Sequence, residues 1–410
     1  MRFHFIHAAD LHIDSPLDAL RTKDAGVAAT FAAAGRKAVE TLVEKTIEER
    51  AKFLIVAGDV FDGDWSDVST GLFFARQLGK LDRAGVQTFL IRGNHDAANR
   101  MSRKLDYPPS VQEFDTRRPQ TRLIEDLRVA LHGRSFPDRE APADFLSSYP
   151  AARKDWLNIG LLHTSLEGAP GHSPYAPCTV ADLVRFGYDY WALGHIHAAS
   201  VVSREPWIVY PGNIQGRSPR ETGPKGAMRV TVEDGRIVAV EPFALDAARW
   251  AHARADVSGL EDDDAITQAI SNALREAHAG AEGRPLAVRL TLMGETSAHA
   301  RLFARMEGVD EQWRGEVQAL AWRFADDCWI EKIRLETRAP PAAVAADPDA
   351  LDAAGLLAAT LEDPAFLAEI AALMKSLADK TPPGVVDALA ARPAAEWAAG
   401  ARDLLLGGRV

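Results

Sequence analysis

Side chains that bind divalent cations recur in five short segments: Asp10-Leu11-His12, Gly58-Asp59, Gly93-Asn94-His95-Asp96, His163 and Gly194-His195-Ile196-His197. Singly they say little. An Asp-x-His is also a capped turn, a Gly-Asp carries almost no information, and a histidine after an apolar run is equally a strand-end residue. Two histidines at i and i+2, as in His195 and His197, are more specific for a metal. Taken together, the segments offer several carboxylate oxygens, one amide oxygen and, besides His95, four imidazoles. That mixture suits borderline or hard ions such as Mn²⁺, Fe²⁺ or Zn²⁺; it is too rich for one ion and about right for two. Two ions ~3.5–4 Å apart are the usual arrangement for phosphoester hydrolysis, generating a nucleophile from water and absorbing phosphoryl charge. A carboxylate is the natural bridge between them. A leaving alkoxide also needs a proton, and His95 is the histidine not required as a ligand. Asp62, three residues beyond Asp59, is placed to orient and charge it.

The elements that would position these groups are legible as short apolar runs closed by polar turns. Phe3–Ile6, Phe53–Ala57, Thr88–Ile91, Ile159–Leu162 and Tyr190–Leu193 each precede one of the segments. Such runs read as strands buried on both faces, and parallel strands bring their C-terminal ends to one edge, where α/β proteins build sites. Asp10 and His12, read as extended chain, would point to the same side. A helix is predicted where Val39, Leu42, Val43, Thr46 and Ile47 form a stripe, and another from about 66 to 84, ended by Gly85. Residues 106–110 and 168–177 read as loops. Beyond His197 come short strands at 207–210, 227–232 and 237–240, with a hairpin turn at Asp234-Gly235.

From 250 to about 338 the pattern predicts one helix, on Ile266, Ile270 and Leu274, with a few strands including Leu286–Leu292. Residues 339–343 read as a linker. The remainder is alanine-rich and helical, with Asp363 as N-cap and Pro364 at the first helical position. Leu367, Ile370, Leu373, Met374 and Leu377 make an apolar face suited either to packing on its own domain or to a partner's groove. The expected domains are 1–245, 246–338 and 339–410.

The chain has 410 residues, 47% of them hydrophobic, and a formal charge of −11. The charge argues against a protein that is basic all over, but a local basic strip suffices for nucleic acid. Two cysteines, Cys178 and Cys328, support neither a disulfide framework nor a thiolate zinc site. The N-terminus enters a strand at once, without a signal-peptide pattern, and no apolar run approaches membrane-spanning length. A cytoplasmic protein is expected.

The motifs Asp10-x-His12, Gly58-Asp59-Val60-Phe61-Asp62, Gly93-Asn94-His95-Asp96, His163 and Gly194-His195-x-His197 resemble those of calcineurin-like metallophosphoesterases. The longer strings HAADLHIDSP, VAGDVFD, RGNHD, LLHTS, ALGHIH and YPGNIQGRSPRETGPKG are similar to SbcD-type DNA repair nucleases, especially their YhaO-like branch. The resemblance is strong over about 1–245 and weaker beyond. It implies an α/β four-layer sandwich, two central sheets flanked by helices, with a small α/β capping domain and C-terminal helices. It implies two divalent ions, manganese above all. Asp10, His12, Asp59 and His197 would hold one, and Asp59, Asn94, His163 and His195 the other, with Asp59 bridging. His95 would contact the scissile phosphate. Some relatives have a histidine where this chain has Asp62, which puts the partner of His95 in question. The resemblance further implies a homodimer acting on DNA as exonuclease or endonuclease, and a Rad50-like coiled-coil ATPase held by the C-terminal helices.

Arg217, Arg220 and Lys225, in a Gly- and Pro-rich loop, are candidates for phosphate contacts, as are Arg100, Arg103 and Lys104. His4, His7, His132 and His172 read as structural or surface residues. Two other functions remain open: a small-molecule phosphodiesterase or phosphatase on the same fold, and a non-catalytic DNA-end scaffold. A small ester needs no capping domain or Arg-rich loop, and a scaffold needs no complete ligand set.

Overall fold

The computed structural model describes residues 1–15, 25–62, 68–98, 105–139, 145–166, 176, 178–308, 310–340, 359–361 and 363–378. Arg100, Arg103, Lys104, His172, the 341–343 part of the linker, most of the 168–177 loop and the chain beyond 378 lie outside these residues.

Two six-stranded sheets dominate. The strands of the first are β1 (Arg2–Ala8), β2 (Phe53–Ala57), β3 (Gln87–Ile91), β4 (Val111–Glu113), β11 (Gly226–Glu233) and β12 (Arg236–Ala244), in the order β12-β11-β1-β2-β3-β4. Here β1, β2, β3 and β4 run parallel, and β11 and β12 join antiparallel. The second sheet has the order β5-β6-β7-β8-β10-β9, from β5 (Gln120–Ile124), β6 (Val129–Gly133), β7 (Leu157–His163), β8 (Tyr190–Gly194), β9 (Ser200–Arg204) and β10 (Trp207–Tyr210). Its four inner strands are parallel.

The inner strands β2, β3, β7 and β8 lack polar alternation because both faces are covered. On β2, Phe53 and Ile55 pack with Phe5, Phe89, Leu131, Ile159, Leu161 and Val209 between the sheets. Leu54 and Val56 face the other way, against Val39, Leu42 and Val43 of α1 (Ala25–Glu48) and Leu78 and Leu81 of α2 (Ser69–Arg83), and the short α3 (Asn94–Ala98) follows β3. The outer face of the second sheet is covered by Phe145, Tyr149 and, from α4 (Val180–Val184), Leu183, which pack on Trp191 and Leu193. The layers are therefore helix, sheet, sheet, helix. A polar tie crosses the middle: His7 of β1 bonds the Tyr190 hydroxyl of β8 through Nδ1 at 2.9 Å and the Leu193 carbonyl through Nε2 at 3.1 Å. The β11–β12 turn is at Asp234-Gly235, both left-handed with φ 48° and 78°, as its sequence requires.

The chain divides into two compact units. One comprises residues 1–251, 278–288 and 327–331; the other comprises 252–277, 289–326 and 332–410. A separate three-stranded sheet has the order β13-β14-β15, from β13 (Arg249–Asp256), β14 (Leu286–Glu295) and β15 (Cys328–Arg338). The region 250–338 holds three helices rather than the single one expected: α5 (Asp263–Ala279), α6 (His299–Gly308) and α7 (Asp310–Trp322). In α5, Ile266, Ile270 and Leu274 are buried as their spacing predicts. The other two were obscured because Gly308 and Gly315 interrupt the helical pattern and polar residues separate the buried Leu302, Trp313, Val317 and Ala321. In α8 (Pro364–Ala378), Asp363 caps the first turn, its carboxylate accepting from the Ala365 amide at 2.8 Å. Leu373 there is exposed. Among the described residues, no helix is long and apolar enough to cross a membrane.

Candidate metal centre

The C-terminal ends of β1, β2 and β3 in one sheet, and of β7 and β8 in the other, lead into the loops that carry the predicted ligands. The site is thus built from two sheets, not from one edge. The first loop does not continue as extended chain. Asp10 and His12 are left-handed, with φ 53° and 42°, as are Asp59 at 51° and His195 at 97°. The extended reading of Asp10 and His12 is corrected by hydrogen bonds past the sheet's end: the Asp10 and His12 amides donate to the Gly58 and Asp59 carbonyls, both at 3.0 Å. Each such non-glycine residue costs on the order of 1–2 kcal/mol. Close packing requires two glycines. A Cβ on Gly194 would meet the Ala57 carbonyl oxygen, and one on Gly93 would meet the Asp59 carboxylate.

The side chains converge. Asp10, His12 and His197 form one group and Asp59, His163 and His195 a second, the ligand atoms of each lying within 4.8 Å of one another. Asp59 Oδ2 sits between the groups, 3.2 Å from His163 Nε2 and 3.8 Å from His12 Nε2. Asn94 joins the second, its Oδ1 being 3.1 Å from His163 Nε2. His12 Nε2 and His197 Nε2 face each other at 3.1 Å. Asp10 accepts from the His195 amide at 3.0 Å. A third group of His12, Asp62 and His95 adjoins these.

This donor set suits cations. Burial pushes Asp10 up to about 6, although His197 and His163 pull it the other way. Burial likewise opposes ionisation of Asp59, yet His163, His12 and His95 outweigh it and hold that carboxyl far below the usual range. Burial disfavours a charged His163, but Asp59 carries it up to about 9. A proton on His163 Nε2 thus bonds Asp59 and Asn94 oxygens, a position that a divalent ion fits by charge and by ligand type. His163 Nδ1 donates to the Ala57 carbonyl at 2.9 Å, orienting the ring.

Asp62 and His95 make a pair at 2.7 Å, Oδ1 to Nδ1. The Asp62 bond raises the His95 pKa despite burial. Asp62 Oδ2 accepts from the Ser15 hydroxyl at 2.6 Å and from Arg217 Nη1 at 2.7 Å. The fourth member of the Gly93-Asn94-His95-Asp96 segment turns away from these groups: the Asp96 carboxylate accepts from the Gly93, Val60 and Phe61 amides at 3.1, 3.1 and 2.9 Å.

The three cations of the 217–225 loop do not share one role. Arg217 engages Asp62, and Lys225 Nζ donates to the His197 carbonyl at 3.2 Å, whereas Arg220 is exposed. His7 and His132 are buried with structural partners, and His4 lies 4.0 Å from Glu49. Sequence reasoning missed Ser15, Asn213 and Glu221. Glu221 is the acid within a loop read only for its cations, and it bonds His197.

Residues 3–199 match the family described as calcineurin-like phosphoesterase, and residues 250–338 match the middle domain of metallophosphoesterase YhaO. The chain is 34% identical over 294 residues to metallophosphoesterase YhaO of Bacillus subtilis (strain 168), covering 71% of each chain. It is 27% identical over 231 residues to the DNA double-strand break repair protein Mre11 of Methanopyrus kandleri, covering 50% of this chain and 48% of that one. Among solved structures it is similar to TT1561 of Thermus thermophilus, with a TM-score of 0.34 and 12% identity, covering 60% of this chain and 100% of the other. A dimetal phosphatase from Danio rerio gives a TM-score of 0.35 at 12% identity, with 59% and 96% covered.

Proposed function

As the chain belongs to the calcineurin-like metallophosphoesterases and is a metal-dependent phosphoesterase, we propose that its substrate is the phosphodiester backbone of DNA. It acts in the cytoplasm as a homodimer beside a Rad50-like ATPase. Residues 1–245 form the catalytic domain, 246–338 the DNA-contacting cap and 339–410 the linker and ATPase-binding segment. The observation that carries the chemistry is the position of Asp59 between the two ligand groups, which suits a carboxylate bridge. The substrate class draws support from the likeness to a relative named as a DNA double-strand break repair protein.

Asp10, His12, Asp59 and His197 would hold one Mn²⁺, and Asp59, Asn94, His163 and His195 the other. When bound, the ions activate water at neutral pH and neutralise phosphoryl charge. The chain's own contribution centres on His95. Its Nδ1 is committed to Asp62, so Nε2 is left for the substrate, and the raised pKa supplies a proton for the leaving oxygen. Ser15 and Arg217 hold the far oxygen of Asp62, which keeps that carboxylate from turning away. Arg220, exposed in the same loop, is the member of the Arg217, Arg220 and Lys225 trio free to meet a backbone phosphate.

The test is manganese-dependent cleavage of end-labelled duplex DNA beside a generic phosphodiester, with and without the ATPase. DNA cleavage that chelation abolishes is expected. Hydrolysis of the generic ester alone would replace this reading with a small-molecule phosphodiesterase, and DNA binding without hydrolysis of either would point to a scaffold.

A further inference from the structure

The loop between β10 and β11 carries a largely buried acid with three hydrogen-bond donors on it. Glu221 Oε1 accepts from His197 Nδ1 at 2.8 Å, while Oε2 accepts from Asn213 Nδ2 at 2.9 Å and the Arg217 amide at 2.7 Å. Its side chain is only 15% exposed. An ionised carboxylate can only accept. His197 therefore donates through Nδ1, which turns its Nε2 towards His12 and Asp10.

We infer that Glu221 is a positioning residue for the first ion: it fixes the tautomer and ring orientation of His197 and, with its other oxygen, seats Arg217 against Asp62. The inference rests on the two-ion reading above. The chain of contacts is continuous. Glu221 holds the Arg217 backbone, Arg217 Nη1 holds Asp62 Oδ2 at 2.7 Å, and Asp62 Oδ1 holds His95 Nδ1 at 2.7 Å. One loop thereby sets both a ligand and the proton donor. Two of the ligand histidines, His163 and His197, have bonded Nδ1 atoms and differ in a useful way. His163 relies on a neutral carbonyl at 2.9 Å, whereas His197 has an anion at 2.8 Å. An anionic partner also raises the basicity of the imidazole it orients, and loss of such outer partners costs roughly 10- to 100-fold in metal affinity. The ion held by His197 should therefore depend on Glu221, and the ion held by His163 should not.

The experiment is calorimetric titration of the metal-free full-length chain with Mn²⁺, accompanied by electron paramagnetic resonance of the loaded protein. The wild type should take up two ions that give a spin-coupled signal. Glu221→Ala should keep one ion at near wild-type affinity, weaken the other by roughly 10- to 100-fold, and show an isolated-ion spectrum at one equivalent. Glu221→Gln, which keeps an acceptor for His197 but no charge, should fall between the two. If Glu221→Ala does not fold, Glu221→Gln decides. Wild-type affinity for both ions in the folded variants would overturn the inference, as would equal weakening of both. Uptake of fewer than two ions by the wild type would overturn the two-ion reading and this inference with it.

Discussion

The two ligand groups are held in place by different means. His163 is fully buried at the end of β7, and its ring is oriented by a main-chain carbonyl of β2. Its neighbour Asp59 lies in a tight turn where Gly93 leaves no room for a side chain. His197 is 22% exposed and is oriented by a side chain 24 residues along the sequence. One group is built into the framework of the sheets, whereas the other is held against it by a loop. Rigidity therefore comes from the backbone on one side and from a side-chain network on the other, so damage to the two should differ in kind.

The sharpest way to break this comparison is at the shared residue. Asp59→Ala should release both ions and lower kcat/KM by ~10³-fold or more, about 4 kcal/mol of transition-state stabilisation. Elemental analysis that finds one ion retained would show that the groups are independent. His95→Ala should cost roughly 10²- to 10⁴-fold in kcat while both ions stay, and loss of metal would make His95 a ligand instead.

A smaller effect separates the framework from the loop. His163→Ala and His197→Ala should each lose one ion. In urea melts of metal-free protein, however, the first should lose about 2–3 kcal/mol, because the Ala57 carbonyl is left buried and unpaired. The second should lose about 1 kcal/mol or less, since its site reaches solvent. Equal losses would erase the distinction.

The smallest effect concerns the tie beneath both groups. Burial depresses His7 to about 3. Because its folded pKa lies below the unfolded value, the unfolded chain takes the proton first. Stability from this group is complete well above pH 6.5 and falls as pH drops towards 3, by ~1 kcal/mol between pH 6.5 and 5.5 and ~1.4 kcal/mol over the next unit. His7→Gln should flatten this slope by one proton in metal-free melts, and an unchanged slope would remove His7 from the account.

Much of this was legible in the chain. The stripe Val39, Leu42, Val43 and Thr46 predicted its buried helix face, and Asp363-Pro364 predicted where α8 begins. The ligand segments were readable because each ends a strand: local apolar runs specify strands, and polar turns mark their ends. Glu221 was not readable, since an acid in a polar loop has no periodicity to announce it. The left-handed turns at Asp10 and His12 were also hidden, because neither residue type demands that conformation and only pairing with Gly58 and Asp59 imposes it.

By itself, then, the sequence determined which residue types stand at strand ends and that they suit a pair of cations, because hydrophobic burial and turn chemistry act over a few residues. Tertiary structure alone decided that two sheets face each other, that Asp59 falls between the ligand groups, and that Arg217 turns inward to Asp62 while Arg220 stays in solvent. Those outcomes depend on contacts between residues far apart in the chain, such as the 155 positions separating Asp62 from Arg217. Their energies exist only once the sheets have packed and water has left the space between them.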